Sequence, residues 1–118
     1  MSCNPNMRCK PSRYMLEERV RKGTDPDNPE YLYTYLETAQ ECARQLPLPH
    51  RRNLYRQVFN TLISAAADGK VALHWRILCL DHACLPLCRL RPLCRTIEQR
   101  RELLQLRYQL ASLGHYLH

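Results

Sequence analysis

Prolines and apolar periodicity together constrain what this chain can fold into. Eight prolines divide the 118 residues. Most segments between them carry apolar side chains at steps of three and four, the period of a helix buried on one side. Asn28-Pro29-Glu30 reads as a helix start: Asn28 caps, Pro29 suits the first helical position and Glu30 faces the positive end of the dipole. Leu32, Tyr35, Leu36, Ala39, Cys42, Ala43 and Leu46 follow on one face, and Pro47 and Pro49 stop the run. A second helix runs from 50 to 67, with Leu54, Val58, Leu62 and Ala65 on one face, and Asp68-Gly69 ends it. A third spans 71 to 85, anchored by the single Trp75 and ended near Pro86. The last spans 96 to 114, started by the capping box of Thr96 and Gln99. Residues 12 to 22 allow a short helix closed by Gly23, and residues 1 to 11 read as a loosely held arm.

Glycine is scarce, at 3 residues, and leucine is abundant, which favours helix over strand. The expectation is an all-α fold: a small bundle of three to four helices over residues 28–118, preceded by a flexible arm over 1–27. A chain of this length buries one modest core.

Net charge is +7, and almost all of the positive charge is arginine; Lys10, Lys22 and Lys70 are the only lysines. Arginine forks suit carboxylates, phosphates and protein interfaces. No apolar run is long enough to span a membrane. The opening MSCNPNMRCKPSR lacks an apolar signal core, so an intracellular place, cytoplasm or nucleus, is expected. In a reducing compartment the 7 cysteines are expected as thiols or metal ligands rather than as a disulfide framework.

The stretch ILCLDHACLPLCRLRPLC, residues 77 to 94, holds Cys79, Cys84, Cys88 and Cys94 together with His82. Zinc takes four nitrogen or sulfur ligands in a tetrahedron. A proline-bent, hairpin-like exit from the third helix would bring His82, Cys84 and Cys88 together, with Cys94 as the fourth. Buried thiols compete with that reading, since free cysteine is among the most buried residue types. No pair with two intervening residues, the stronger zinc signal, occurs. Zinc, buried thiols and redox use all stay open.

Two further features point to binding. Leu103, Leu106, Leu110, Leu113 and Leu117 alternate steps of three and four, either a core-facing stripe or a seam for a partner or for self-association. Leu104 and Ala111 widen that face. The arginines Arg51, Arg52, Arg89, Arg91, Arg95, Arg100 and Arg101 form clusters suited to an acidic partner or to phosphate. Dense arginine also permits nucleic-acid binding with a steep salt dependence, although aromatics are not interleaved for base stacking. No nucleophile elbow, phosphate loop or zinc-protease motif is present, so a binding protein rather than an enzyme is expected.

Read in order, YLETAQECARQLPLP, NLYRQVF, WRILCLDHACLPLCR and TIEQRR resemble the successive helices and basic tail of the lentiviral Vpr/Vpx accessory proteins, over roughly residues 30 to 101. The resemblance implies a small viral adaptor linking host proteins to a cullin-RING ubiquitin ligase. It also implies a His/Cys zinc site with Cys88 and Cys94 as ligands and His50 near the family's histidine. Gln45 stands where that pattern wants histidine, and the leucine helix at 96–117 is foreign to the family.

Overall fold

The computed structural model describes residues 5–117, with side chains from 13 onward. The described residues form six α-helices and no strand: α1 Pro5–Lys22, α2 Glu30–Arg44, α3 Leu48–Ala67, α4 Leu73–His82, α5 Cys84–Leu90 and α6 Ile97–Leu117, with a 3-10 turn at Arg91–Leu93. The all-α expectation holds. The envelope is a slab of 45 × 38 × 15 Å, two helix layers thick at the usual interaxial spacing of about 8–10 Å.

α3 touches every other helix. Its buried set, Leu54, Tyr55, Val58, Phe59, Thr61, Leu62, Ile63, Ala65 and Ala66, covers more than the single face read from its spacing. A helix that is apolar most of the way round belongs in the middle of a bundle. α1, α2, α4, α5 and α6 all pack around it.

The short helix allowed at 12–22 and closed by Gly23 is present, and the first correction is that it starts earlier, at Pro5. Instead of a loose arm, Pro5–Lys22 is a helix packed on α2 and α3, with Val20 fully buried; residues 1 to 4 of the expected arm lie outside the described residues. Gly23 explains its seat. At φ +58° it closes α1 in a left-handed cap, its N–H bonding the Val20 carbonyl at 3.3 Å while Thr24 N–H bonds the Arg19 carbonyl at 3.2 Å. The same Val20 carbonyl accepts the Trp75 indole N–H at 2.9 Å, which locks α4 against the end of α1. Arg21 reaches Asp68, just beyond α3, at 3.0 Å, and Arg76 Nε donates to the Ala66 carbonyl at 2.9 Å, satisfying a carbonyl at the open end of α3.

The sequence signals at two other helix starts hold. Asn28 Oδ1 accepts the Glu30 N–H at 3.2 Å. At α6, Gln99 N–H bonds Thr96 Oγ1 at 3.1 Å and Gln99 Oε1 accepts the Thr96 and Arg95 N–H groups at 3.2 and 2.7 Å, the reciprocal capping box.

The second correction lies at Pro86. The third helix does not run to residue 85; α4 stops at His82 and α5 starts at Cys84. A continuous helix would press the Pro86 ring on the His82 carbonyl four residues back. Breaking at Ala83 moves Pro86 into the first turn of α5, where its missing N–H leaves no bond unmade. The expected hairpin-like exit is therefore a helix of 7 residues.

Candidate functional site

That short helix decides the placement of the cysteines. Cys79, on α4, is fully buried, and burial pushes its thiol up to about 12. Cys84 and Cys88 stand one turn apart on α5 and both are exposed. Cys94, beyond the 3-10 turn, is half-buried, its Sγ at 3.4 Å from the Leu90 carbonyl and 3.7 Å from that of Gln99. His82 Nδ1 lies 2.9 Å from the Leu78 carbonyl, and its ring packs tilted on Tyr33 at 5.4 Å.

His82, Cys84, Cys88 and Cys94 are therefore not brought together. Cys84 and Cys88 line one groove and Cys94 another. Among the described residues no group of three or more His, Cys, Asp or Glu side chains is placed to hold a metal ion. As arranged, the four do not fit a tetrahedral zinc site. Cys79, Cys84, Cys88 and Cys94 are free thiols.

The candidate arginines divide into two groups. Arg51 Nη2 bonds the Leu46 carbonyl at 3.0 Å and Arg52 Nη1 the Leu93 carbonyl at 3.3 Å. Both hold neighbouring loops against the start of α3, which explains two cations at the positive end of a dipole. Arg89, Arg91, Arg95, Arg100 and Arg101 are exposed and have no carboxylate partner among the described residues. Arg107, which the cluster reading passed over, joins them. By contrast, Arg21, Lys22, Arg44 and Arg56 each pair with an acid, Asp68, Glu18, Glu41 and Glu102 respectively. Arg89, Arg91, Arg95, Arg100, Arg101 and Arg107 collect on α5, the 3-10 turn, α6 and the link between the last two.

The leucine stripe of α6 packs inward on α3, α4 and α5. Leu103 is buried, and Leu106, Leu110, Leu113 and Leu117 are partly buried against the core. Leu103, Leu106, Leu110 and Leu113 therefore spend most of their apolar surface within the chain.

The exposed apolar surface of α6 is a second stripe. Ile97, Leu104, Tyr108 and Tyr116 are all exposed. Ile97, Leu104 and Ala111 repeat at intervals of seven, and Arg100 and Arg107 repeat at seven beside them; at 100° per residue each set runs along one line of the helix. The signal was legible as a second heptad alongside the leucine seam.

Between α5 and α6 lies a groove of about 310 Å³ lined by Cys84, Leu87, Cys88, Arg91, Leu103, Arg107, Leu110 and Ala111. Its floor is leucine, its rim two arginines, and Ala111 joins its α6 wall to the exposed stripe. A smaller groove, of about 170 Å³ between α3 and α6, includes Arg56 and Glu102 in its lining, which meet at 2.8 Å. No helix of the described residues is long and apolar enough to cross a membrane. No family model, curated protein or solved structure matches the chain.

Proposed function

We propose that this chain is a small basic helical adaptor that binds a protein partner through the face formed by α5 and α6. One observation carries the reading: the exposed apolar stripe of Ile97, Leu104 and Tyr108 lies beside arginines that have no carboxylate among the described residues. An apolar strip flanked by arginine is the composition of a protein-binding surface. Carried through the resemblance of residues 30 to 101 to Vpr and Vpx, the reading becomes a viral accessory protein that couples a host protein to a cullin-RING ubiquitin ligase.

Proximity labelling in cells tests it, with the wild-type chain beside a Leu104→Ser/Tyr108→Ser chain. Both positions are exposed, so the substitutions leave the core intact. The expected result is a defined set of labelled proteins, ligase subunits among them, that the double variant loses. Identical sets from the two chains refute the reading.

The same unpaired arginines favour a second reading, a nucleic-acid-binding module. Phosphate neutralisation by five or six arginines would make affinity for random RNA or DNA fall steeply with salt. A shallow or absent salt slope removes this alternative.

A further inference from the structure

We infer that the groove between α5 and α6 receives an amphipathic helix from a protein partner, with apolar side chains on its leucine floor and acidic side chains against Arg91 and Arg107. The inference rests on the protein-binding reading above and names the chemistry of the partner.

Three features select that occupant. The first is shape. Leu103 and Leu110 are two helical turns apart, about 10.5 Å along α6. That is the span of side chains i, i+3 or i+4, and i+7 on an incoming helix, the usual anchors of a helix laid in a groove. A volume of about 310 Å³ accepts a few aliphatic side chains. The second is charge. Arg91 and Arg107 line the groove without a carboxylate partner among the described residues. Of the two acids on α6, Glu102 is held by Arg56 at 2.8 Å, leaving Glu98 against Arg100, Arg101 and Arg107 on that helix. Carboxylates on the incoming helix complete these arginines and steer its approach.

The third is the poor fit of other occupants. A nucleic-acid backbone would neutralise the arginines and leave the partly open Leu110 and the apolar floor of the groove uncovered. A second copy of this chain offers α2 as its acidic face, through Glu30, Glu37 and Glu41, but Tyr33 is the one large apolar side chain exposed there. That face cannot fill a leucine-lined groove.

The test uses the full chain and two synthetic peptides of about five helical turns, each with leucines on one face. One carries glutamates flanking the leucines and the other carries lysines there. Binding is read by fluorescence anisotropy at moderate salt, with random single-stranded RNA as a third probe. The acidic peptide is expected to bind and the lysine peptide not to bind. Arg91→Glu/Arg107→Glu should weaken the acidic peptide by on the order of tenfold or more. Ala111→Trp, at an exposed position on the groove wall, should block it while circular dichroism stays native. In the wild type, bound acidic peptide should slow alkylation of Cys84 and Cys88 and leave Cys94 unchanged, a readout that needs no variant.

Equal binding of both peptides overturns the charge argument. RNA binding without peptide binding overturns the choice of partner. Full acidic-peptide affinity in Ala111→Trp, with Cys84 and Cys88 unprotected, overturns the groove; if Leu104→Ser/Tyr108→Ser still loses its labelled proteins, the adaptor reading stands without it. If that variant loses nothing as well, both fall.

Discussion

The two ends of the slab are built differently. Around Trp75, large side chains from four helices close on one another: Val20 of α1, Leu32 and Tyr35 of α2, Phe59 and Leu62 of α3 and Trp75 of α4 are each at most 1% exposed. Polar groups there are shared between helices. Trp75 bonds the Val20 carbonyl, and Tyr35 donates to Glu17 Oε2 at 2.7 Å while Gln57 donates to Glu17 Oε1 at 2.9 Å. Around α6 a single side chain of the helix, Leu103, is buried. Leucines stay partly open, arginines lack partners and aromatics face outward. The same chain uses one region to reach stability and leaves the other with unspent apolar and cationic surface. Contact density of this kind sets local stability, so α6 belongs at the low-stability end of the molecule, where binding elements are commonly found.

Four experiments break or sharpen that contrast. The largest effect is expected from Trp75→Ala. It empties the best-filled site and leaves the Val20 carbonyl without the indole donor, at a cost of about 3–5 kcal/mol. Denaturant melts should show the whole chain destabilised; loss confined to α4 and α6 would mean that Trp75 does not join the two layers.

Gly23→Ala comes next. The backbone is left-handed at φ +58°, and an added Cβ would sit 2.6 Å from Val71 Cγ1 and 2.9 Å from Trp75 Cδ1. Conformational strain and overpacking together should cost about 2–4 kcal/mol, read by the same melts. A neutral outcome would show that the α1 cap and the Trp75 seat are not coupled.

Leu103→Ala addresses the other end. It should cost about 2 kcal/mol, with the loss concentrated in α6: hydrogen exchange of residues 97–117 should accelerate while the middle of α3 holds. Uniform acceleration would make the slab one cooperative unit and remove the contrast.

The smallest effect is a pH slope. The folded-state thiol of Cys79 is raised by burial from 9.0 to about 12. Its contribution is complete below pH 9, where the thiol is protonated in both states. Above pH 9 the unfolded thiol ionises first, so stability should fall by about 1.4 kcal/mol per pH unit until the folded pKa is reached. Tyr35, also raised, by burial and then by Glu17, adds to the fall above pH 10. Cys79→Ala should flatten the slope between pH 9 and 10 in melts run with reductant. Cys84→Ala, at an exposed thiol, should leave it unchanged.

The fold was legible where helix chemistry is local. The spacing around Leu32 to Ala43 placed α2, and the pairing of Thr96 with Gln99 placed the start of α6, because caps and periodicity act within a turn or two. The second half of α1 and its Gly23 stop were legible, but its first residues, PNMRCKPSR, were not, because they carry two prolines and little apolar periodicity. The seat of its end depends on Val71 and Trp75, which meet Gly23 and the Val20 carbonyl from far along the sequence. The break at Ala83 was displaced by three residues, since Pro86 acts on the carbonyl four positions earlier as well as on its own position. The candidate site was read unevenly: the arginines of 89 to 101 were picked out, whereas the stripe of Ile97, Leu104 and Tyr108 was hidden behind the stronger leucine seam.

By itself the sequence determined the helical class, the starts of α2 and α6, the basic character and the richness of residues 77 to 94 in cysteine. Those properties follow from side-chain chemistry and from bonds between near neighbours. Only the tertiary structure decided which side of α6 meets the core, which arginines are consumed by the Leu46 and Leu93 carbonyls, and that His82 turns to Tyr33 while Cys84 and Cys88 face outward. Each of these depends on how helices distant in sequence lie against one another, and periodicity along a single helix does not contain that information.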